Sequence, residues 1–489
     1  MFEVAEAGHK LKASVYKRRA PRARQRLLEL QYKLQAKPEF PVLILLHGVE
    51  GAGLTETANL FNAWMDPRHI RTHAYDPKES TGTGLPELWP YWQALPPKGR
   101  VGIFLGSWYS ARLERFAWHH EDATRFEQEL ERIRHFERML AAEGALIVKL
   151  WLHLSRKAQK ERLEALEADE ATSWRVTRTQ WRQHKHYRDY VRSAEEALAA
   201  TSTAEAPWEI IDGSDPEYRN LAAASVVGDA LAARLAGKGR RLAPATPPPA
   251  PAIDRRTLLR SLDYGGHIDK DEYEEKLAKH QGQVARRMRS RHIAKRPVIV
   301  VFEGMDAAGK GSTIRRITQA LDAREYSVIP IAAPTEEERA QPYLWRFWRA
   351  LPRAGHMAIF DRSWYGRVLV ERVEALVPEY DWMRAYHEIN DFEQQLTEAG
   401  GVVAKFWLAV TPAEQLRRFR ERESTPYKRY KIGPEDWRNR RKWPAYEKAV
   451  DDMIERTSTD VAPWHVIATD DKKLARVEVL RLLAKALRS

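Results

Sequence analysis

The chain repeats itself at one constant spacing, so the two halves should share one fold. PVLILLHG begins at Pro41 and PVIVVFEG at Pro297, an offset of 297 − 41 = 256 residues. Three later pairs share this offset: Ser107-Trp108-Tyr109 with Ser363-Trp364-Tyr365, KLWL at Lys149 with KFWL at Lys405, and APW at Ala206 with APW at Ala462. Matches at a single offset over most of both halves predict a tandem duplication of one domain of about 230 residues, a size that single α/β domains reach.

A stretch rich in proline and alanine separates the two copies. Residues 237–255 read GKGRRLAPATPPPAPAIDR, a composition that favours an extended, semi-rigid spacer over a packed element. The sequence therefore predicts a first domain at 1–236, a linker at 237–255 and a second domain at 256–489.

A glycine-rich turn in the second copy predicts a phosphate-binding loop. Val298–Thr313 reads VIVVFEGMDAAGKGST, in which Gly304 and Gly309-Lys310 have the G-x-x-x-x-G-K spacing of a P-loop. Glycines let backbone N–H groups point at phosphate oxygens, and a helix beginning near Ser312 adds its positive end. The residues expected to bind phosphate are Gly304, Ala307, Ala308, Gly309, Lys310, Gly311, Ser312 and Thr313. Gly311 stands where the strict pattern has Ser or Thr, so the usual hydroxyl ligand of Mg²⁺ stays unassigned.

Strand and helix patterns alternate within each copy. In the second copy, strands are expected at 298–302, 327–331, 357–360, 401–410 and 466–468, and helices at about 313–323, 341–351 and 379–398. This alternation predicts the α/β fold class, with a doubly wound, mostly parallel sheet in each copy and ligands at the carboxyl ends of the strands.

Two carboxylates predict a metal site beside the loop. Asp361 ends an apolar run and is followed by Arg362, a Walker-B-like arrangement that can hold Mg²⁺ next to a P-loop. Asp306 lies inside the loop, where a carboxylate next to bound phosphates is repulsive unless a cation intervenes. We therefore expect Asp306 and Asp361 to bind Mg²⁺ or Mn²⁺.

A basic segment predicts a lid over the phosphates. Residues 420–431 read RERESTPYKRYK, and a proline interrupts the helix there. Phosphoryl transfer needs positioning and charge neutralisation more than covalent chemistry, so a closing cationic segment fits that reaction. With Arg372 as a further phosphate contact, the expected catalytic residues are Asp306, Lys310, Asp361, Arg362, Arg372, Arg422, Lys428 and Lys431.

The first copy lacks most of these side chains. At the positions 256 residues earlier, Leu54 replaces Lys310, Leu105 replaces Asp361, Gly106 replaces Arg362, Thr172 replaces Lys428, and Arg175 stands for Lys431. Glu50 alone retains an acid, at the position of Asp306. Because leucine cannot neutralise a phosphate, we expect a domain that kept its fold and lost its phosphoryl chemistry. Its expected role is structural, with regulation or polyanion tethering as the alternative.

Composition narrows the class of protein. The chain has no cysteine, which excludes disulfides and a thiol nucleophile, and its apolar runs are too short to cross a bilayer. The N-terminus lacks the apolar region of a signal peptide, so a soluble cytoplasmic protein is expected. A net charge of +13 suits a polyanionic partner: nucleic acid, polyphosphate or a membrane surface.

Four ordered segments of the second copy closely resemble the polyphosphate kinase 2 family: GMDAAGKGS at 304–312, PTEEERAQPYLWRFWRALP at 334–352, FDRSWYGRVLVERV at 360–373 and YKRYKIGPEDW at 427–437. The resemblance covers nearly all of the second copy and the first copy more weakly. The resemblance implies two tandem P-loop kinase-like domains, with a fold similar to that of thymidylate kinase. It also assigns Asp306 and Lys310 to the Walker A group, Asp361 and Arg362 to the Walker B pair, and the segment from Arg422 to Lys431 to the lid.

A two-copy chain whose first copy lacks the motif residues looks like those family members that pass the terminal phosphoryl group of inorganic polyphosphate to AMP, giving ADP. Family members are commonly oligomeric, so a homo-oligomer is implied. Three alternatives stay open: a polyphosphate-dependent ADP or GDP kinase, an ATP-dependent nucleoside monophosphate kinase, and a non-enzymatic module that binds nucleotides or nucleic acid. The intact motif set of the second copy argues against the last, and no nucleic-acid-binding motif stands out.

Overall fold

The structure, a computed structural model of the chain, describes residues 1–75, 84–119, 122–237 and 258–488. Apart from Gly237, the predicted linker at 237–255 lies outside these residues. The chain folds into two compact units, one built around the strands of each copy.

The strands of the first copy are β1 (Val42–Gly48), β2 (Ile70–Ala74), β3 (Val101–Leu105), β4 (Leu146–His153) and β5 (Trp208–Asp212). Its helices are α1 (Ala13–Ala36), α2 (Leu54–Trp64), α3 (Trp89–Ala94), α4 (Ser110–His119), α5 (Ala123–Ala142), α6 (Arg156–Ala168), α7 (Arg178–Lys185), α8 (Tyr187–Thr201) and α9 (Pro216–Leu235).

The strands of the second copy are β6 (Val298–Gly304), β7 (Tyr326–Pro330), β8 (Met357–Asp361), β9 (Val402–Ala409) and β10 (Trp464–Ala468). Its helices are α10 (Lys270–Met288), α11 (Lys310–Thr318), α12 (Glu336–Arg339), α13 (Trp345–Arg349), α14 (Val370–Val373), α15 (Glu379–Glu398), α16 (Pro412–Ser424), α17 (Pro434–Arg441), α18 (Trp443–Thr457) and α19 (Lys472–Ala486).

Each copy forms one parallel five-stranded sheet. The strand order is β2-β3-β1-β4-β5 in the first sheet and β7-β8-β6-β9-β10 in the second, with every neighbouring pair parallel. Strands that are buried on both faces need near-continuous apolar runs, and Val298–Phe302 of the central strand β6 is such a run, fully buried. The predicted α/β class, with one parallel sheet in each copy, is confirmed.

The two copies correspond residue by residue. Each strand of the second sheet begins 256 residues after its counterpart, as β6 does after β1 and β9 after β4. Both interiors also keep the same buried ion pair. Lys405 Nζ lies 2.6 Å from Glu393 Oε2, and Lys149 Nζ lies 2.7 Å from Glu137 Oε2, with all four side chains at most 2% exposed.

Two predicted helices differ in their bounds. The helix expected at 313–323 is α11, which begins three residues earlier and ends at Thr318. It begins at Lys310 because Gly309, with φ of 112°, turns the loop directly into the helix. The helix expected at 341–351 is shortened to α13, whereas the one expected at 379–398 is found unchanged as α15.

Within the part of the chain that the structure describes, every helix is too short or too polar to cross a lipid bilayer.

Candidate active site

The glycine-rich loop joins β6 to α11 at the carboxyl edge of the second sheet. Gly304 begins the turn, and a Cβ atom there would lie 2.5 Å from the carbonyl oxygen of Leu408, so only glycine fits. Asp361 ends the neighbouring strand β8, which pairs with β6 in a register that sets Phe302 beside Asp361. The sheet order therefore brings the loop and the strand-end carboxylate to one place.

Side chains from α16 hold the loop from behind. Arg418 is 2% exposed and donates Nη1 to the carbonyl oxygens of Ala307, at 2.9 Å, and Ala308, at 3.3 Å. Gln415 Nε2 donates to the carbonyl oxygen of Asp306 at 2.9 Å. With its carbonyl groups fixed in this way, the loop is positioned before any ligand arrives.

A cavity of about 860 Å³ opens above the loop. Of the residues predicted from the sequence, it is lined by Asp306, Ala307, Ala308, Gly309, Lys310, Gly311, Ser312, Asp361, Arg362, Arg422, Lys428 and Lys431. It is also lined by cationic residues that the sequence pattern did not indicate: Arg315, Arg418, Lys472 and Arg476. Nine cationic side chains thus face four acidic ones, Asp306, Asp361, Glu421 and Asp436, so the cavity attracts anions.

Asp306, Lys310 and Arg362 form the charged centre of the cavity. Arg362 Nη2 lies 3.2 Å from Asp306 Oδ1, and Asn439 Nδ2 donates to the other carboxylate oxygen at 2.8 Å. Lys310 Nζ donates to the carbonyl oxygen of Gly304 at 2.6 Å. Each of these two cations can exchange its partner for a phosphate oxygen, since bonds between a cation and an anionic oxygen are strong.

Burial and neighbouring charge shape the protonation of these groups. Burial lowers the pKa of the Lys310 ammonium, an effect that Asp306 opposes. Burial alone would lower the pKa of the Arg362 guanidinium too, but Asp306 and Glu303 raise it. An anionic ligand acts in the same direction as these carboxylates, because a nearby negative charge favours the protonated cation. Phosphate binding therefore favours the ammonium form of Lys310.

The basic segment 420–431 lies over the cavity as the end of α16 and the short helix Arg429–Lys431. Two of its cations have partners within the segment: Lys428 Nζ pairs with Glu421 Oε1 at 2.5 Å, and Arg422 Nη1 donates to the carbonyl oxygen of Lys431 at 3.0 Å. Tyr427 is 75% exposed. Side chains whose partners lie within their own segment suit a segment that changes position when a ligand binds.

Three predicted residues do not line this cavity. Gly304 turns the chain beneath it, and Thr313 is buried, with its hydroxyl donating to the carbonyl oxygen of Gly309 at 3.2 Å. Arg372 pairs instead with Asp452, at 2.6 Å, and donates to the Tyr386 hydroxyl at 2.9 Å. In this structure the Arg372 guanidinium therefore bonds to Asp452 and Tyr386 outside the cavity lining, and its contact with a phosphate stays a prediction.

Lys472 and Arg476 were missed because they lie more than 160 residues after the loop in the sequence. They lie one turn apart at the start of α19, which follows β10 and is capped by Asp471. One signal was available: a strand followed by a helix that begins with two cations one turn apart. Lys472 is half-buried, and burial, followed by the nearby Arg418, lowers its pKa to about 8.

The equivalent cleft of the first copy, about 540 Å³, has the opposite charge. Among the residues that the structure describes, its ionic lining consists of one cation, Arg175, and three acids, Glu50, Glu56 and Glu114. Arg175 is paired with Glu56 at 3.1 Å. The amide N–H of Glu50, at the position of Asp306, donates to Gln183 Oε1 at 2.6 Å. A side chain of the protein itself therefore occupies one of the backbone donors of this loop.

The sequence model of the polyphosphate kinase 2 family matches this chain twice, at residues 10–238 and 267–489. A polyphosphate:AMP phosphotransferase of Pseudomonas aeruginosa is 49% identical over 488 residues, covering 100% of this chain and 98% of that protein. The polyphosphate:AMP phosphotransferase of Acinetobacter johnsonii is 39% identical and covers 95% of both chains.

A solved structure agrees with these sequence matches. The crystal structure of a polyphosphate kinase 2 from Pseudomonas aeruginosa superimposes with a TM-score of 0.89 at 47% identity, covering 100% of this chain and 98% of that one. Since the family model covers both copies and the relatives match along the full chain, this protein belongs to the polyphosphate kinase 2 family.

Proposed function

We propose that the protein is a phosphotransferase that passes the terminal phosphoryl group of inorganic polyphosphate to AMP, giving ADP, and that the cavity of the second copy is its active site. The observation that carries this proposal is the set of nine cations that surround one glycine-rich loop. A long polyanion needs such a lining, and relatives that match the full chain are polyphosphate:AMP phosphotransferases.

In this reaction an oxygen of the AMP phosphate attacks the terminal phosphorus, the bond from that phosphorus to its bridging oxygen breaks, and the shortened polyphosphate leaves with the electron pair. The attacking oxygen is already anionic, so no strong general base is required. The loop amides and Lys310 hold phosphate oxygens next to the transfer point. Arg362, with Arg422, Lys428 and Lys431 of the lid, neutralises the charge that spreads over the transferred group.

Asp306 and Asp361 are the residues that would hold Mg²⁺. Both line the cavity, and Mg²⁺ is commonly bound through one or two carboxylates together with substrate phosphates. Among the described residues there is no cluster of three or more acidic or histidine side chains that could hold a metal without substrate, which fits a metal that arrives with the phosphates. When bound, Mg²⁺ would neutralise phosphate charge.

The domain at 1–236 is proposed to be inert in phosphoryl transfer, and the domain at 256–489 to be catalytic. The first cleft supports this division, because Leu54 and Gly106 replace Lys310 and Arg362, and acids outnumber cations among its described lining residues. A polyphosphate chain would meet net repulsion there.

A donor and acceptor panel tests the function. Purified protein receives AMP, GMP, ADP or GDP with either long-chain polyphosphate or ATP, and the products are separated by chromatography. ADP formed from AMP and polyphosphate is the expected result. Activity with ATP alone would identify a nucleoside monophosphate kinase. Preference for ADP or GDP would identify a kinase of nucleoside diphosphates. That activity is named for shorter relatives such as the NDP-polyphosphate phosphotransferase of Ruegeria pomeroyi, whose match covers 38% of this chain at 44% identity.

A further inference from the structure

The first copy carries an exposed basic segment that takes no part in the proposed active site. Lys10–Arg26, which leads into and forms the N-terminal half of α1, contains eight cations and no acid. We call Lys10–Arg26 the α1 basic segment, and its eight cations are all exposed: Lys10, Lys12, Lys17, Arg18, Arg19, Arg22, Arg24 and Arg26. They account for a charge of +8, against +13 for the whole chain.

The matching segment of the second copy has the opposite character. Residues 266–282, which are the same positions 256 residues later and lead into α10, contain five acids and three cations. There, Lys276 pairs with Glu272 one turn away, at 2.5 Å. The basic charge is therefore not a property that the fold requires at this position, because the other copy forms the same helix without it.

Concentrating these charges on one helix costs stability. Arg18, Arg22 and Arg26 follow one another at four-residue spacing, and like-charged pairs at that spacing destabilise a helix. Within the described residues, Arg26 pairs with Asp229 at 2.7 Å, but the other seven cations have no ion pair or side-chain hydrogen bond. An external anion would relieve this repulsion.

A lipid surface is the poorer match for that anion. Leu27, Leu30 and Leu34, the buried leucines of α1, lie C-terminal to most of the basic segment, and α1 packs on α9. A helix that binds a bilayer in its plane needs a free apolar face. The α1 basic segment contains no Trp, Phe, Ile or Met, and its one leucine, Leu11, is partly buried.

Nucleic acid is also a poorer match than a bare phosphate polymer. Besides arginine and lysine contacts to guanine, recognition of bases uses amide groups and aromatic stacking. The only aromatic residue of the segment, Tyr16, is partly buried and accepts a hydrogen bond from Asn220, and its one amide, Gln25, is bonded to Glu29. What the surface offers is positive charge alone.

We propose that the α1 basic segment is a second binding site for long-chain inorganic polyphosphate, which tethers the polymer while its end is consumed in the second copy. A polymer held at two sites of one protein dissociates less often than one held at a single site, because the second contact is intramolecular. The inference rests on the proposed function, since it concerns the same donor. It gives the first copy a role that needs no phosphoryl chemistry.

The test compares two full-length variants. The first replaces five unpaired cations of α1 by glutamine, which preserves helix propensity: Lys17→Gln, Arg18→Gln, Arg19→Gln, Arg22→Gln and Arg24→Gln. The control removes five exposed cations elsewhere in the first copy: Lys37→Gln, Lys157→Gln, Lys160→Gln, Arg188→Gln and Arg192→Gln. Four of the control cations are paired with a nearby glutamate, so their removal changes net charge equally without removing an anion site.

The α1 variant should raise the KM for polyphosphate of several hundred units by about tenfold or more and should flatten its dependence on salt. The KM for chains of about ten units, the KM for AMP and kcat should stay within about twofold, and the control should resemble the wild type. Equal long-chain KM values in the α1 variant and the control would overturn the proposal.

Binding without turnover separates this inference from the proposed function. The Lys310→Ala protein, with and without the five α1 substitutions, is titrated with labelled long-chain polyphosphate, with single-stranded and duplex DNA, and with vesicles containing phosphatidylserine. Loss of polyphosphate binding on removal of the α1 cations supports the tether even if the donor panel fails. Tighter α1-dependent binding of DNA or vesicles than of polyphosphate would overturn it.

Discussion

Arg362 and Gly106 occupy equivalent positions in the two copies and share a left-handed backbone, with φ of 65° and 68°. The same relationship links Ala307 in the loop to Gly51, with φ of 61° and 83°. Glycine adopts this conformation freely, whereas other residues pay about 1–3 kcal/mol for it. The first copy thus has glycine where the backbone demands it, and the second keeps an arginine there in spite of the strain.

Arg362→Gly should separate stability from activity. The substitution relieves the backbone strain, so the free energy of unfolding should stay constant or rise by about 1 kcal/mol, while kcat/KM falls at least about 100-fold because the cation beside Asp306 is lost. Urea unfolding and steady-state kinetics measure the two quantities. Arg362→Ala is the matched control, since it loses the charge and keeps the strain. A glycine variant that keeps the wild-type kcat/KM, or that is less stable than Arg362→Ala, would contradict this account.

Lys310→Leu gives the second copy the residue that the first copy has at the equivalent position, Leu54. We expect kcat to fall about 100- to 1,000-fold with the fold intact, as when one donor to a developing negative charge is removed. Leu54→Ala in the first copy is the counterpart and should leave kcat within about twofold. Circular dichroism confirms folding of both proteins. Strong loss of turnover in the Leu54 variant would show that the first cleft takes part in the reaction.

The sequence pattern predicted the loop, the strand-end Asp361 and the repeated sheet because each depends on residues close together in the chain. It did not predict Lys472 or Arg476, because only the order of strands in the sheet brings α19 to the loop. It also did not predict the ion pair of Arg372 with Asp452, because the two residues lie 80 positions apart in the chain.

Lys472 should make polyphosphate binding sensitive to pH. With a pKa lowered to about 8 by burial, this amine loses its proton as the pH rises through 8, and the cavity then loses a positive charge. The KM for polyphosphate should therefore rise between about pH 7 and 9, whereas Lys472→Arg, which stays charged, should flatten that rise. The KM for AMP provides the internal reference. Identical pH profiles for both proteins would exclude Lys472 as the titrating group.

The buried pair of Lys405 and Glu393 should determine the stability of the second copy. Lys405→Met leaves a buried carboxylate without its cation, which typically costs about 3–5 kcal/mol, so the urea midpoint should fall sharply. Adding Glu393→Leu removes the orphaned charge and should restore most of the lost stability, because an apolar pair can replace an ionic one. If the urea midpoint does not recover in the double variant, the hydrogen bonds that Glu393 accepts from Trp364 and Tyr365 contribute more to stability than its charge costs.

Lys149→Met makes the matching change in the first copy, where Lys149 pairs with Glu137. Its free energy of unfolding should fall by a similar amount, about 3–5 kcal/mol, because the burial and the distance are nearly the same. If the first copy is inert in catalysis, kcat per folded molecule should be unchanged at temperatures well below the transition. Kinetics and urea unfolding on the same preparation measure both values. A fall in kcat that exceeds the unfolded fraction would indicate that an intact first sheet is needed for turnover.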